Sequence, residues 1–164
     1  WGRPRQQGHH MQLSTILRPQ AVKLVSDITS KKRLMQTVAD LAHDVTGHST
    51  TEICAALLDR ETLGPTGFGH GVALPHARLE GLEGVQGVFV KLDHPVEFES
   101  VDKQPVDLVF ALFAPEEAGT QHLKALALVS RTLRDPALCQ KLRATTDPHA
   151  IHALLTEART SQAA

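Results

Sequence analysis

Between Thr66 and Arg78 the chain reads Thr-Gly-Phe-Gly-His-Gly-Val-Ala-Leu-Pro-His-Ala-Arg. Gly67, Gly69 and Gly71 alternate with larger residues, and Pro75 immediately precedes His76. Glycine tolerates φ > 0 and lets a backbone approach a bound group closely. Successive N–H groups in such a turn can line an anion-binding concavity. Pro75 fixes its own φ and pushes Leu74 toward extended geometry. His76 is therefore expected at a defined place at a strand end, not on a loose loop. An imidazole with a pKa near ~6.5 keeps one basic nitrogen at neutral pH. Beside a phosphate-sized anion site, that nitrogen is suited to attack a phosphoryl group. The other ring nitrogen then needs a hydrogen-bond partner, which the sequence does not name.

Other residues could join this chemistry. Arg60 lies on a predicted helix that Gly64-Pro65 ends just before the glycine stretch. Its guanidinium matches phosphate oxygens with paired donors and stays charged. The bland reading is an exposed arginine paired with Asp59 or Glu61, worth little. His122 falls at a predicted helix start, where unpaired N–H groups and the dipole favour anions. Thr66 offers a hydroxyl either to the phosphoryl group or to its own turn. Phe68, between two glycines, is either an exposed docking contact for a partner protein or buried under the loop. His70, His76 and His122 could together ligate zinc. No carboxylate is obviously placed as a general base, however, and the spacings match no standard zinc motif, so no metal is expected. His43, His48, His94, His149 and His152 read as surface residues.

The Thr66–Arg78 stretch resembles the active-site segment of the IIA components of the bacterial phosphoenolpyruvate-dependent phosphotransferase system. It is most similar to the fructose/mannitol-type branch, which includes the stand-alone nitrogen-regulatory IIA proteins. The likeness spans roughly Leu13 to Ala158. It implies that His76 carries the phosphoryl group. It implies that His122, followed by Leu123, lies beside His76 and stabilises the group, and that Arg60 of the Arg60-Glu61 pair neutralises charge. Thr66, Gly67, Gly69 and Gly71 would form the phosphate-binding loop. Two residues depart from the pattern: His70 stands where the family usually has asparagine, and Pro65 where it tends to have serine.

The resemblance further implies a donor, a small HPr-like carrier bearing its own phosphohistidine, and no nucleotide, metal or other cofactor. Downstream, a nitrogen- and potassium-linked regulatory IIA role is expected, since no IIB or permease segment is seen in this chain. The alternatives are a sugar-specific IIA that passes the group to a IIB component, and a binding module that is never phosphorylated.

Composition agrees with a globular carrier. The 164 residues are 41% hydrophobic and 21% charged, ordinary values for one domain with one core. A formal net charge of −1 points to neither nucleic acid nor anionic membrane. No apolar run approaches a membrane span, and no secretory signal is visible, so a cytoplasmic location is expected. Cys54 and Cys139 fall on apolar helix faces and read as buried free thiols. Residues 1–10 lack periodicity and precede Met11; they read as an expression-tag remnant, leaving residues 11–164 as a single domain.

The elements that must position these residues follow from periodicity. Residues 13–20 lead into a first strand near 21–25. Ser30 caps a helix with Leu34, Val38, Leu41, Ala42 and Val45 on its apolar face, ended by Gly47. Ser49-Thr50-Thr51-Glu52 is a capping box for a second helix buried through Ile53, Ala56 and Leu57. Val72–Leu74, Val85–Leu92 and Val106–Phe113 read as strands, the last central. His94-Pro95 opens a turn, and Val96, Phe98 and Val101 read as a separate piece, either a short strand or an extended excursion. Thr120 caps a third helix whose stripe is Leu123, Leu126, Ala127, Ser130 and Leu133. Asp135-Pro136 and Asp147-Pro148 open two more helices, and the chain frays from Ser161. The expected fold is α/β, a mixed central sheet sandwiched by helices on both faces.

Overall fold

The computed structural model describes residues 11–117 and 119–163, with side chains characterised through Glu157. The proposed tag remnant, residues 1–10, lies outside the described residues. The chain order is α1 (Leu13–Ile16), β1 (Leu17–Val25), α2 (Lys31–Thr46), α3 (Thr50–Glu61), β2 (Gly67–Gly69), β3 (Val72–Ala73), β4 (His76–Arg78), β5 (Gln86–Val96), β6 (Val106–Ala114), α4 (Thr120–Leu133), α5 (Pro136–Ala144) and α6 (Pro148–Ala163).

Hydroxyl and carboxylate caps set most helix starts. Ser30 Oγ accepts from Arg33 N at 3.1 Å, and Ser49 Oγ accepts from Glu52 N at 3.1 Å. Asp135 does the same for Ala137 N, with Pro136 at the first helical position. Gly47 closes α2 in the left-handed conformation at φ 82°, where glycine carries no Cβ penalty. α4 differs from the expectation. Gly119, not Thr120, occupies the cap, with φ 56° and no side-chain cap bond. α6 continues through Ala163 rather than fraying at Ser161.

The six strands form one mixed sheet in the order β1-β5-β6-β3-β2, with β4 also on β6. β5 and β6 pair antiparallel, while β1 on β5 and β3 and β4 on β6 are parallel. β1 starts four residues before the expected strand. It tolerates Pro19 because it is an edge strand, where a missing N–H costs no ladder bond. β5 absorbs His94-Pro95 and reaches Val96 through a register irregularity between Lys91 and Val96, so Val96 belongs to β5 and not to a separate piece.

Helices α2 and α3 pack together against β1, β5 and β4; α1, α4, α5 and α6 form a second group on β1 and β6. The sheet is thus covered on both faces, which is why β6 is buried at all but Asp107. Phe89 and Phe110 meet edge-on across the β5–β6 pair, with centroids 6.1 Å apart.

α4 is turned relative to the expected stripe. His122, Ala125, Leu128, Val129, Thr132 and Leu133 face inward, and Leu123 stays 65% exposed. An inward His122 is what brings its ring to the end of β4.

Candidate active site

β3 and β4 run in line along one edge of β6, and the break between them is Leu74-Pro75. Pro75 O still accepts Leu112 N at 3.0 Å, and Leu74 N donates to Thr66 O at 2.9 Å. The Leu74 carbonyl faces His76 instead of the ladder. His76 Nδ1 lies 2.9 Å from it. A carbonyl only accepts, so Nδ1 carries the proton and Nε2 keeps its lone pair. This is the ring partner the sequence left unnamed.

Two residues from opposite helical layers converge on that ring. Arg60, in the last turn of α3, donates from Nε to His76 Nε2 at 3.2 Å and from Nη1 to Gly64 O at 3.1 Å. His122, in the first turn of α4, stands edge-on to His76 with ring centroids 5.5 Å apart and an interplanar angle of 74°. His122 Nε2 is buried and has no hydrogen-bond partner among the described residues. A buried polar atom without a partner is costly, and His122 lines the same cleft as His76. An open cleft of about 540 Å³ carries the three side chains, and Leu63, Arg78 and Leu123 also line it.

Both imidazoles are biased toward the neutral form. Burial holds the His76 pKa below the usual histidine value; the Leu74 hydrogen bond opposes this and Arg60 adds to it. His122 is pushed down to about 4, first by burial and then by the charges of His76 and Arg78. Two neutral rings and the guanidiniums of Arg60 and Arg78 make a site with the basic Nε2 of His76 available and fixed positive charge around it, a combination that suits an incoming phosphoryl group.

The glycine loop lies elsewhere. Gly67–Gly69 and Val72–Ala73 form a short antiparallel hairpin, and the tip Gly69-His70-Gly71 is tied to Asp102 and to Arg143 of α5. His70 N donates to Asp102 Oδ2 at 2.9 Å, and Arg143 Nη2 donates to His70 O at 2.7 Å. A Cβ on Gly71 would strike Arg143, and one on Gly67 would strike Ser100 Oγ. The glycines let the hairpin turn and approach its neighbours; none of the three lines the His76 cleft. His70 sits at φ 58°, a left-handed conformation in which asparagine and histidine are both enriched. That backbone suits a histidine at the tip, and the tip lies outside the cleft that holds the other two rings. Among the described residues, no three metal-ligating side chains cluster.

Thr66 is buried, and its hydroxyl donates to Glu61 Oε1 at 2.6 Å; it is engaged by its own turn, not turned to the cleft. Phe68 is half-buried and lines a different cavity of about 780 Å³, with Leu133, Pro136, Cys139 and Arg143. The exposed apolar groups beside His76 are Leu63 and Leu123, at 82% and 65% exposure. Leu63 and Arg78 were not singled out by sequence; only their closeness to Arg60 and His76 in the chain hinted at them. His48 and His152 are half-buried, not surface residues: their rings bond Glu80 O and Leu17 O. Cys54 and Cys139 are free thiols whose pKa burial raises.

A histidine at a strand end, its tautomer set by the backbone, meets a second histidine and an arginine on a mixed α/β sandwich. The chain belongs to the family described as phosphoenolpyruvate-dependent sugar phosphotransferase system, EIIA 2, whose profile matches residues 15–158. It is 46% identical over 145 residues to a nitrogen regulatory protein of Bradyrhizobium diazoefficiens, covering 88% of this chain and 95% of that one. It is 37% identical to a nitrogen regulatory protein of Escherichia coli K12, over 90% of this chain and 91% of that one. Its fold is similar to the crystal structure of nitrogen regulatory protein IIA-Ntr from Neisseria meningitidis, with a TM-score of 0.83, 32% identity, and coverage of 88% and 99%. No helix among the described residues is long and apolar enough to cross a membrane.

Proposed function

We propose that the protein is a phosphocarrier in which His76 Nε2 accepts a phosphoryl group from the phosphohistidine of an HPr-like protein. The lone pair of Nε2 attacks phosphorus in line. The donor's P–N bond breaks and its electron pair returns to the donor imidazole, while a new N–P bond forms on His76. Donor and product are both phosphohistidines, so the step is close to balanced and reversible. Positioning and charge stabilisation do most of the work in such transfers. Arg60 leaves Nε2 and pairs with the phosphoryl oxygens. His122 Nε2 supplies the second contact, as the N–H donor of its neutral ring.

The observation that carries this reading is the Nδ1 bond to Leu74 O at 2.9 Å, which leaves Nε2 as the basic nitrogen beside Arg60 and His122. Incubation with enzyme I, the HPr-like carrier and phosphoenolpyruvate tests it. The expected result is an acid-labile, base-stable phosphate mass on the protein that His76→Ala abolishes. No mass gain would instead support a pure binding module.

The relatives' shared name, nitrogen regulatory protein, supports a regulatory output; on this proposal the phosphorylation state of His76 selects the protein targets, with the potassium-linked ones resting on the sequence resemblance alone. Pull-downs with each phosphorylation state separate this from sugar transport; capture of a IIB component by the phosphorylated form would favour the sugar-specific alternative.

A further inference from the structure

The tautomer of His76 depends on where the Leu74 carbonyl points, and that carbonyl is held at a distance. Leu74 N donates to Thr66 O at 2.9 Å. Thr66 in turn is gripped twice by one carboxylate: its N donates to Glu61 Oε2 at 3.0 Å and its hydroxyl to Glu61 Oε1 at 2.6 Å. The Glu61 side chain is only 7% exposed. Its counter-charge is Lys31, at the first position of α2, with Nζ 2.9 Å from Oε2. Lys31 Nζ also stands 4.6 Å over the centre of the Phe98 ring, and 3.4 Å from Glu99 Oε1 at the surface.

A continuous line of polar contacts therefore runs Lys31, Glu61, Thr66, Leu74, His76. Neighbouring residues of α3 address the two ring nitrogens separately: Arg60 touches Nε2 directly, and Glu61 reaches Nδ1 through Thr66 and Leu74. A buried carboxylate stripped of its partner is strongly disfavoured and would relax by letting water in or by turning away. Either response frees Thr66 and, with it, the strand break that aims Leu74 O.

We propose that Lys31 is a positioning residue for His76, holding Glu61 on Thr66 so that Leu74 O keeps the proton on Nδ1 and Nε2 open. It touches neither ring nor phosphoryl group. The inference rests on the phosphocarrier reading for its consequence, but not for its first readout.

Nitrogen-15 correlation spectra of the histidine rings at neutral pH, on the full chain, provide that readout. In the unmodified protein His76 is expected to show a protonated Nδ1 and an unprotonated Nε2. Lys31→Met should move both signals toward the averaged values of a mixed tautomer. It should also slow phosphoryl transfer to His76 about tenfold, the lower end for loss of an outer-shell partner. Lys31→Arg should restore both. Glu61→Gln, which keeps the shape and removes the charge, should move the ring signals the same way and guards against a folding defect peculiar to Lys31→Met. Glu99→Gln should leave signals and rate unchanged. Unaltered ring signals in Lys31→Met and Glu61→Gln would overturn the inference, as would Glu99→Gln reproducing their effect. If the unmodified protein takes up no phosphate, the phosphocarrier reading fails while the ring spectra still decide the role of Lys31.

Discussion

Arg60 Nε–H donates to His76 Nε2 across 3.2 Å, so the guanidinium rests on the one ring nitrogen free of the backbone. It occupies the position a phosphorus atom would take. On the proposed phosphoryl transfer, Arg60 would have to move aside while keeping its charge within reach. Arg60→Ala should lower the transfer rate about a hundredfold, the scale for losing one preorganised charge-stabilising donor. Arg60→Lys keeps the charge but loses the forked geometry and should recover only part of the rate. Burial holds the His76 pKa down and Arg60 adds to it, so the His76 titration in Arg60→Ala should move up; a titration moving down would contradict the contact.

Stability should fall on acidification, and His122 should account for much of the fall. In the unfolded chain a histidine protonates near ~6.5; in the fold His122 does so at about 4. Between these values the unfolded state binds more protons, so stability rises with pH. The contribution is complete above ~6.5 and is lost as pH drops toward 4, amounting to about 3 kcal/mol. His76 is shifted in the same direction. Urea midpoints measured across this window should therefore decline steeply in the unmodified protein and less steeply, but not flatly, in His122→Gln.

Leu63 and Leu123 flank the cleft as exposed apolar groups. Such groups beside a reactive centre suit the desolvated middle of a protein contact. Leu123→Glu should raise the carrier concentration needed for half-maximal transfer about tenfold, with the maximal rate little changed. A loss confined to the maximal rate would remove Leu123 from the docking surface.

Gly87 is the second residue of β5, where an added Cβ would come 2.6 Å from Phe110 Cε1 and 3.0 Å from Ile16 Cγ2. Phe110 is a core ring held against Phe89 and has little room to yield. Gly87→Ala should cost about 1–3 kcal/mol through overpacking, read as a lower urea midpoint with an unchanged denaturant slope.

Much of this architecture could be read from local chemistry. Ser30, Ser49 and Asp135 announced their helices because a cap needs only its own N–H neighbours. The apolar run of β6 announced a strand covered on both faces. The Pro75-His76 pair and Arg60 led to the site because the proline and the helix end are local features too. The differences between expectation and structure share another origin. Leu123 is no less apolar than Leu128, and only contact with the sheet decides which side of α4 turns in. The glycines looked like a phosphate cradle because positive φ serves a hairpin tip and an anion nest equally well. The Leu74 carbonyl, the one partner that fixes the His76 tautomer, has no side-chain signature, and neither Lys31 nor Glu61 advertises its reach to Thr66.

The Leu74–His76 bond has one more consequence. A ring tied to its own backbone cannot pivot to present Nε2 in a second direction. If His76 both receives and surrenders a phosphoryl group, incoming and outgoing proteins must use one doorway and exclude each other. Traffic through the molecule would then alternate, and an excess of either visitor would jam the other.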